Sequence, residues 1–208
     1  MRVYKDTTIF EKDITMKNYE KELPDGYKEI YLLDATNVKV GVIFNIVALV
    51  IMILIAVPMC YILLENMNFE FSIKISTLFI FAGSMFLYIV LHELTHGVAY
   101  HLLTHEKLTY GFTLSVAFCG VPHIYTTKRT ALIALLAPFV VFNVVFLLGV
   151  FLCPELEYKL MSAVLFALHF GGCVGDLHAT YLLLFKFKGD ILMKDTGPKQ
   201  TYYARVVE

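Results

Sequence analysis

The sequence predicts an all-α integral membrane protein: four transmembrane helices, with a cytoplasmic hairpin or re-entrant segment between helices 2 and 3. Three observations carry this expectation. Of 208 residues, 58% are hydrophobic and the mean hydropathy is +0.68, whereas soluble domains are about 45–50% apolar. Four apolar runs each exceed the roughly 20 residues that a helix needs to cross a bilayer. Charged or turn-like segments separate the runs. The net charge of −1 offers nothing to a nucleic acid, so no nucleic-acid partner is expected.

The elements follow in order. Residues 1–39 hold eight acids and seven bases and show no signal peptide. They read as a solvated cytoplasmic N-terminal segment, with Tyr27 to Leu33 as a short strand or interfacial helix. The first span, Gly41 to Leu64, is uncharged and would act as an uncleaved anchor. Glu65-Asn66-Met67-Asn68 ends it, and the second span runs from about Ile75 to Leu103. Within 104–130, Leu108 to Phe118 alternates partly in strand fashion. There Cys119-Gly120 is expected to turn and Val121 to Thr126 to return, with Pro122 confined to an edge. Such a hairpin either adds a substrate strand by edge pairing or packs on the helices.

The third span, Ala131 to Leu152, contains Pro138 and Asn143. Cys153-Pro154-Glu155 breaks the chain before a fourth span, about Leu160 to Phe187. Residues 189–208 form a polar cytoplasmic tail, extended near Thr201 to Val207. The expected organisation is therefore 1–39, a four-helix domain over 40–188, and 189–208. An even number of spans places both termini on one side. Seven basic residues precede the first span, three lie in 104–130 and five follow from Lys186 onward, whereas Lys74 and Lys159 stand alone in the other loops. By the positive-inside rule the termini and the middle segment are cytoplasmic. The four cysteines show no CxxC spacing and read as free thiols.

Chemistry concentrates at His92-Glu93-Leu94-Thr95-His96 in the second span. Two histidines four apart face one side of a helix and can hold one zinc ion through neutral imidazole nitrogens. The adjacent Glu93 can take the proton of an activated water. Of the 18 acids, only Glu93 and Asp176 fall inside spans, and intramembrane acids point to a metal or a proton path. Catalytic zinc usually keeps three protein ligands. His92 lies about 18 residues, or ~27 Å, from the outer end of its span, and Asp176 about 16 residues, or ~24 Å, from the outer end of its own. The depths agree within a turn, so Asp176 is the preferred third ligand, with His169 and His178 as alternatives. Gly171, Gly172 and Gly175 allow close helix approach or a local loosening of the helix.

His101, His105 and His123 read as interfacial. Asn143 is a candidate for hydrogen bonding a substrate backbone or orienting a ligand, or for a helix-packing bond. Pro138 frees a carbonyl and kinks its helix. The constellation fits metal-assisted hydrolysis of an amide, with Glu93 passing the water proton to the leaving amine.

HExxH in the second helix, an Asp in a Gly-rich fourth helix and a Pro and an Asn between them resemble the site-2 protease class of intramembrane zinc metalloproteases. The stretches Leu23-Pro24-Asp25-Gly26-Tyr27, His92 to Gly97 and Gly175-Asp176 resemble the small bacterial zincin peptidases of the DUF3267 family, over about 25–190. That resemblance implies zinc held by His92, His96 and Asp176, Glu93 as catalytic base, and a multi-pass protein of the bacterial cell membrane. Its expected partners are the bilayer and a membrane-spanning or membrane-bound peptide substrate. His169, Pro138 and Asn143 are the candidates for substrate contact. Leu177 follows Asp176 where site-2 proteases place glycine, and Pro138 and Asn143 are five apart instead of three. Competing readings are a membrane zincin acting on soluble proteins, a zinc or proton transporter, and a catalytically inactive protease-derived scaffold.

Overall fold

The computed structural model describes residues 17–65, 74–113 and 117–206. Three long apolar helices form α1 (Val38–Leu64), α2 (Ile75–Thr104) and α3 (Lys128–Leu152). Asn37 caps α1 by accepting from the Lys39 amide, and Thr127 caps α3 by accepting from Thr130. α2 ends at His105, which takes a left-handed conformation with φ 56°. At 1.5 Å per residue these helices are about 37–45 Å long. Each is long and apolar enough to cross a membrane.

The fourth apolar run is bent. α4 (Leu156–Gly172) and α5 (Val174–Tyr181), which continues into a π-helical turn over Leu182–Lys186, meet at 44° across Cys173. Among the described residues the candidate spans number three, or four if this pair counts as one. None of α1 is buried, and Val42, Ile43, Ile46, Leu49, Ile53 and Leu54 are among its exposed side chains. So large an apolar surface is stable against lipid, not water.

Small residues set the helix spacing. A Cβ on Gly171 of α4 would lie 2.6 Å from Met52 Cγ and 3.0 Å from the Ala48 carbonyl of α1. One on Gly149 of α3 would lie 2.4 Å from Ser162 Oγ of α4. Without lipid-independent hydrophobic attraction between helices, such close backbone approach is what packs them. An apolar cluster of Tyr88, Phe142, Phe146 and Leu165 fills the space among α2, α3 and α4.

The all-α expectation needs correction, because the described residues also form two sheets. β1 (Tyr19–Glu20), β5 (Tyr125–Thr127), β6 (Ile191–Asp195), β7 (Lys199–Arg205) and β2 (Tyr27–Asp34) pair antiparallel in that order. The two polar ends expected as separate tails thus meet: Tyr27 pairs with Arg205 and Asp34 with Lys199. Tyr27 to Leu33 is a strand, and so is the stretch from Thr201 as far as Arg205. The strands are short and their partners are distant in sequence. They form because the helices bring their ends together and because one face buries Leu33, Ile191, Met193 and Tyr202 against Leu135, Ala179 and Leu183.

The second sheet corrects a register. β3 (Thr109–Phe112) pairs with β4 (Ala117–Gly120), Thr109 opposite Gly120 and Phe112 opposite Ala117. Cys119-Gly120 therefore lies within β4 and not at a turn, and residues 114–116, between the two strands, lie outside the described residues. Gly120 serves close approach: a Cβ there would meet the Gly197 nitrogen at 2.4 Å. Tyr125–Thr127 joins the larger sheet instead of returning along β3.

Asp195 locks the sheet to the helices. Its carboxylate accepts from the Tyr100 hydroxyl of α2 at 2.7 Å and from the Gly197 amide at 2.8 Å, and its carbonyl accepts from Val121 at 2.9 Å. Burial raises its carboxyl to about 6, partly offset by the Gly197 and Tyr100 hydrogen bonds.

Two predictions follow from this packing. Gly171→Leu should destabilise the bundle by about 1–3 kcal/mol through overpacking against the Ala48 carbonyl, read as a lower unfolding midpoint in detergent. Because folding raises the Asp195 pKa, its contribution is full below about pH 4 and is lost as pH rises through about 6. The midpoint of the metal-free wild type should therefore fall relative to that of Asp195→Asn between pH 4 and pH 8.

Candidate metal centre

Helical geometry places His92 and His96 one above the other on α2, both buried, with Glu93 beside them. The bend at Cys173 starts α5 anew, so Asp176 falls in its first turn, where the helix dipole favours a carboxylate. Asp176 Oδ2 lies 3.4 Å from His92 Nε2 and 3.4 Å from His96 Nε2. One ligand atom from each of the three residues falls within 4.8 Å of the others. Zinc bound at about 2.0–2.1 Å in tetrahedral geometry holds its ligand atoms about 3.4 Å apart. The donor set and its spacing fit zinc.

The His96 ring is oriented from α3. Its Nδ1 donates to the Ala134 carbonyl at 2.8 Å. Pro138 lies inside α3, and its missing N–H would otherwise have bonded that same carbonyl. A carbonyl only accepts, so Nδ1 carries the proton and Nε2 keeps its lone pair toward Asp176. β4 packs against α2, and its Cys119 lines the same cleft as Glu93. The hairpin sits so close that a Cβ on Gly97, directly after the motif, would fall 1.9 Å from the Tyr110 hydroxyl.

These residues open onto a cleft of about 410 Å³. Phe44, Asn45, Ala48 and Met52 of α1 form one wall. Ala117, Phe118 and Cys119 of β4, with Gly197 and Pro198 of the β6–β7 turn, form another. Phe118 is seated between two glycines, since a Cβ on Gly111 or Gly197 would come within 2.5 or 2.1 Å of its ring.

The remaining candidates lie elsewhere. His169 is fully buried beside His92, within hydrogen-bonding distance of Tyr88 and Phe139, and forms a second group of potential ligand atoms with His92 and Cys173. His178 faces Phe44 and Tyr181 and does not line the cleft. Asn143 does not line it either, and its buried Oδ1 has no hydrogen-bond partner among the described residues. Pro138 contributes through the carbonyl it leaves free. His101, His105 and His123 are exposed. The sequence reading missed Tyr88, Tyr100, Asn45 and Asp195. Tyr88 is one turn before His92, a spacing that would have flagged it. Asp195 reaches the cleft only through the sheet.

Zinc analysis of the purified protein should find about one ion per chain, and His96→Ala or Asp176→Ala should each reduce it below about a tenth, because three ligands are the usual minimum.

A family model described as "Putative zincin peptidase", DUF3267, matches residues 85–191, just over half of the chain. No curated protein and no solved structure matches it. The matched stretch contains His92, Glu93 and His96, the β3–β4 hairpin, α3 and Asp176. The chain therefore belongs to the DUF3267 family, whose description is that of a zincin peptidase.

Proposed function

We propose that this chain is an intramembrane zinc metallopeptidase of site-2 protease type. It hydrolyses peptide bonds of membrane-associated substrates near the cytoplasmic face. The observation that carries the reading is the convergence of His92 Nε2, His96 Nε2 and Asp176 Oδ2 beside Glu93, in a cleft walled by apolar helices on one side and strands on the other. His92, His96 and Asp176 would hold zinc, which would supply the Lewis acidity to make water nucleophilic at neutral pH and to polarise the scissile carbonyl. Glu93 takes the proton of the attacking water and passes it to the leaving amine. Cys119 of β4 lines the cleft beside Glu93.

A helical substrate hides its carbonyls in hydrogen bonds, so the scissile segment must be extended. β4 has only β3 as a strand partner among the described residues, and Ala117, Phe118 and Cys119 line the cleft. An extended substrate would pair with that second edge of β4, which would bring its backbone alongside Glu93.

Glu93→Gln should keep zinc and lose at least about 100-fold in cleavage of a co-expressed membrane-anchored reporter, scored by mass spectrometry of the products. An unchanged cut in Glu93→Gln removes the peptidase mechanism. Equal cleavage of a soluble version of the reporter removes the intramembrane part of the reading. Zinc flux into vesicles that tracks wild type but not His92→Ala, with no cleavage, would point to transport.

A further inference from the structure

Behind His92 runs an unbroken line of hydrogen bonds whose direction is set at its far end. His169 Nε2 lies 3.3 Å from the Phe139 carbonyl of α3. That oxygen only accepts, so the neutral His169 ring carries its proton on Nε2 and offers a lone pair at Nδ1. The Tyr88 hydroxyl is 3.0 Å from that Nδ1 and donates to it. Its oxygen is then the acceptor for His92 Nδ1, 3.2 Å away, and that nitrogen must hold the proton. His92 Nε2 keeps a lone pair, and it faces Asp176 at 3.4 Å.

The surroundings leave little room for another arrangement. His169 is 0%, His92 7% and Tyr88 8% exposed, so bulk water does not compete. Phe142 and Phe146 pack edge-on around Tyr88 with ring centroids 5.2 and 5.5 Å away. A Cβ on Gly172 would come within 3.3 Å of the Tyr88 hydroxyl. Cys173 Sγ, 3.5 Å from the same His169 Nδ1, is a second and weaker donor to it.

We propose that Tyr88 and His169 are positioning residues that hold His92 as the Nδ1–H tautomer and so aim its Nε2 lone pair at the metal. The proposal rests on His92, His96 and Asp176 being the metal ligands. His92, His169 and Cys173 also lie close enough together to suggest a cation site of their own. The hydrogen-bond line gives His169 and Cys173 a different task, since the ring nitrogens of His169 are already engaged by Phe139 and Tyr88. The two histidine ligands are thus oriented from the same helix by different means. His96 bonds the Ala134 carbonyl directly, and His92 reaches the Phe139 carbonyl through two side chains.

The test uses the full chain in detergent with cobalt(II) in place of zinc. The paramagnetically shifted ring N–H protons of the ligating histidines are read by proton NMR, and zinc affinity by competition with a chelator. Wild type should show two slowly exchanging ring N–H signals, both lost together with the metal in His92→Ala. Tyr88→Phe removes the hydroxyl at nearly constant shape. It should shift the His92 signal or lose it to exchange, leave the His96 signal in place, and weaken zinc binding about 10- to 100-fold. His169→Gln keeps a donor for Phe139 but no acceptor at the Nδ1 position. It frees Tyr88 to donate to His92, inverting the tautomer, and should weaken binding at least as much. His169→Asn, whose amide oxygen can stand in for Nδ1, should recover most of the affinity.

Two unchanged signals and affinities within about twofold of wild type in both Tyr88→Phe and His169→Gln overturn the proposal. Loss of all zinc in a folded His169→Asn also overturns it, since His169 would then be a ligand. A wild type that binds no cobalt, or both of whose signals survive in His92→Ala, refutes instead the assignment of the metal centre.

Discussion

Where α2 meets α5, His92, His96 and Asp176 bring three ionisable side chains to one point among apolar helices, with Asp176 Oδ2 3.4 Å from each histidine. Polar groups removed from water are tolerated only when their hydrogen-bonding atoms find partners. Much of the local architecture meets that demand. The bend at Cys173 interrupts the fourth apolar run and starts a helix whose first turn carries Asp176. On α3, Pro138 releases the Ala134 carbonyl for His96, and the Phe139 carbonyl anchors His169. Gly171 and Gly149 let α4 approach α1 and α3 closely enough for these short contacts to exist.

The sheet matters to the site as much as the helices do. Tyr100, one turn beyond His96, donates to Asp195 of β6, and the β6–β7 turn presses Gly197 against Gly120 of the hairpin. The strands thereby fix where β4 lies relative to Glu93. The cleft has one wall suited to lipid-embedded chain and another built from strands. Under the function we propose, that pairing of surfaces would suit a substrate that leaves a membrane helix and becomes extended before its backbone is attacked. Glu93 lines the cleft together with both walls.

Much of this was legible in the residues. Helix length and hydropathy are local properties, so the apolar runs and their ends appear almost as read, and Asn37 and Thr127 cap where the polarity changes. The four-residue spacing in His92-Glu93-Leu94-Thr95-His96 dictates a shared helix face. The near-isolation of Glu93 and Asp176 among apolar residues marks both in the sequence alone. The strands were harder. β2 depends on a partner strand, β7, more than 160 residues away, and no local period encodes that. The glycines near the hairpin misled because a glycine that permits close packing looks in sequence like one that permits a turn. Gly120 is the first kind.

The sequence by itself determined that long apolar helices would form and that one of them would carry two histidines and a glutamate on adjoining faces. Those outcomes follow from composition and from 3.6-residue periodicity, which act over a few turns. Only the tertiary structure decided which atoms meet. The bend at Cys173 turned Asp176 toward the histidines, α3 offered its two carbonyls, and Tyr88 came to rest between His92 and His169. A side chain's hydrogen-bond partner, and hence which imidazole nitrogen keeps its lone pair, depends on helices packed from distant parts of the chain.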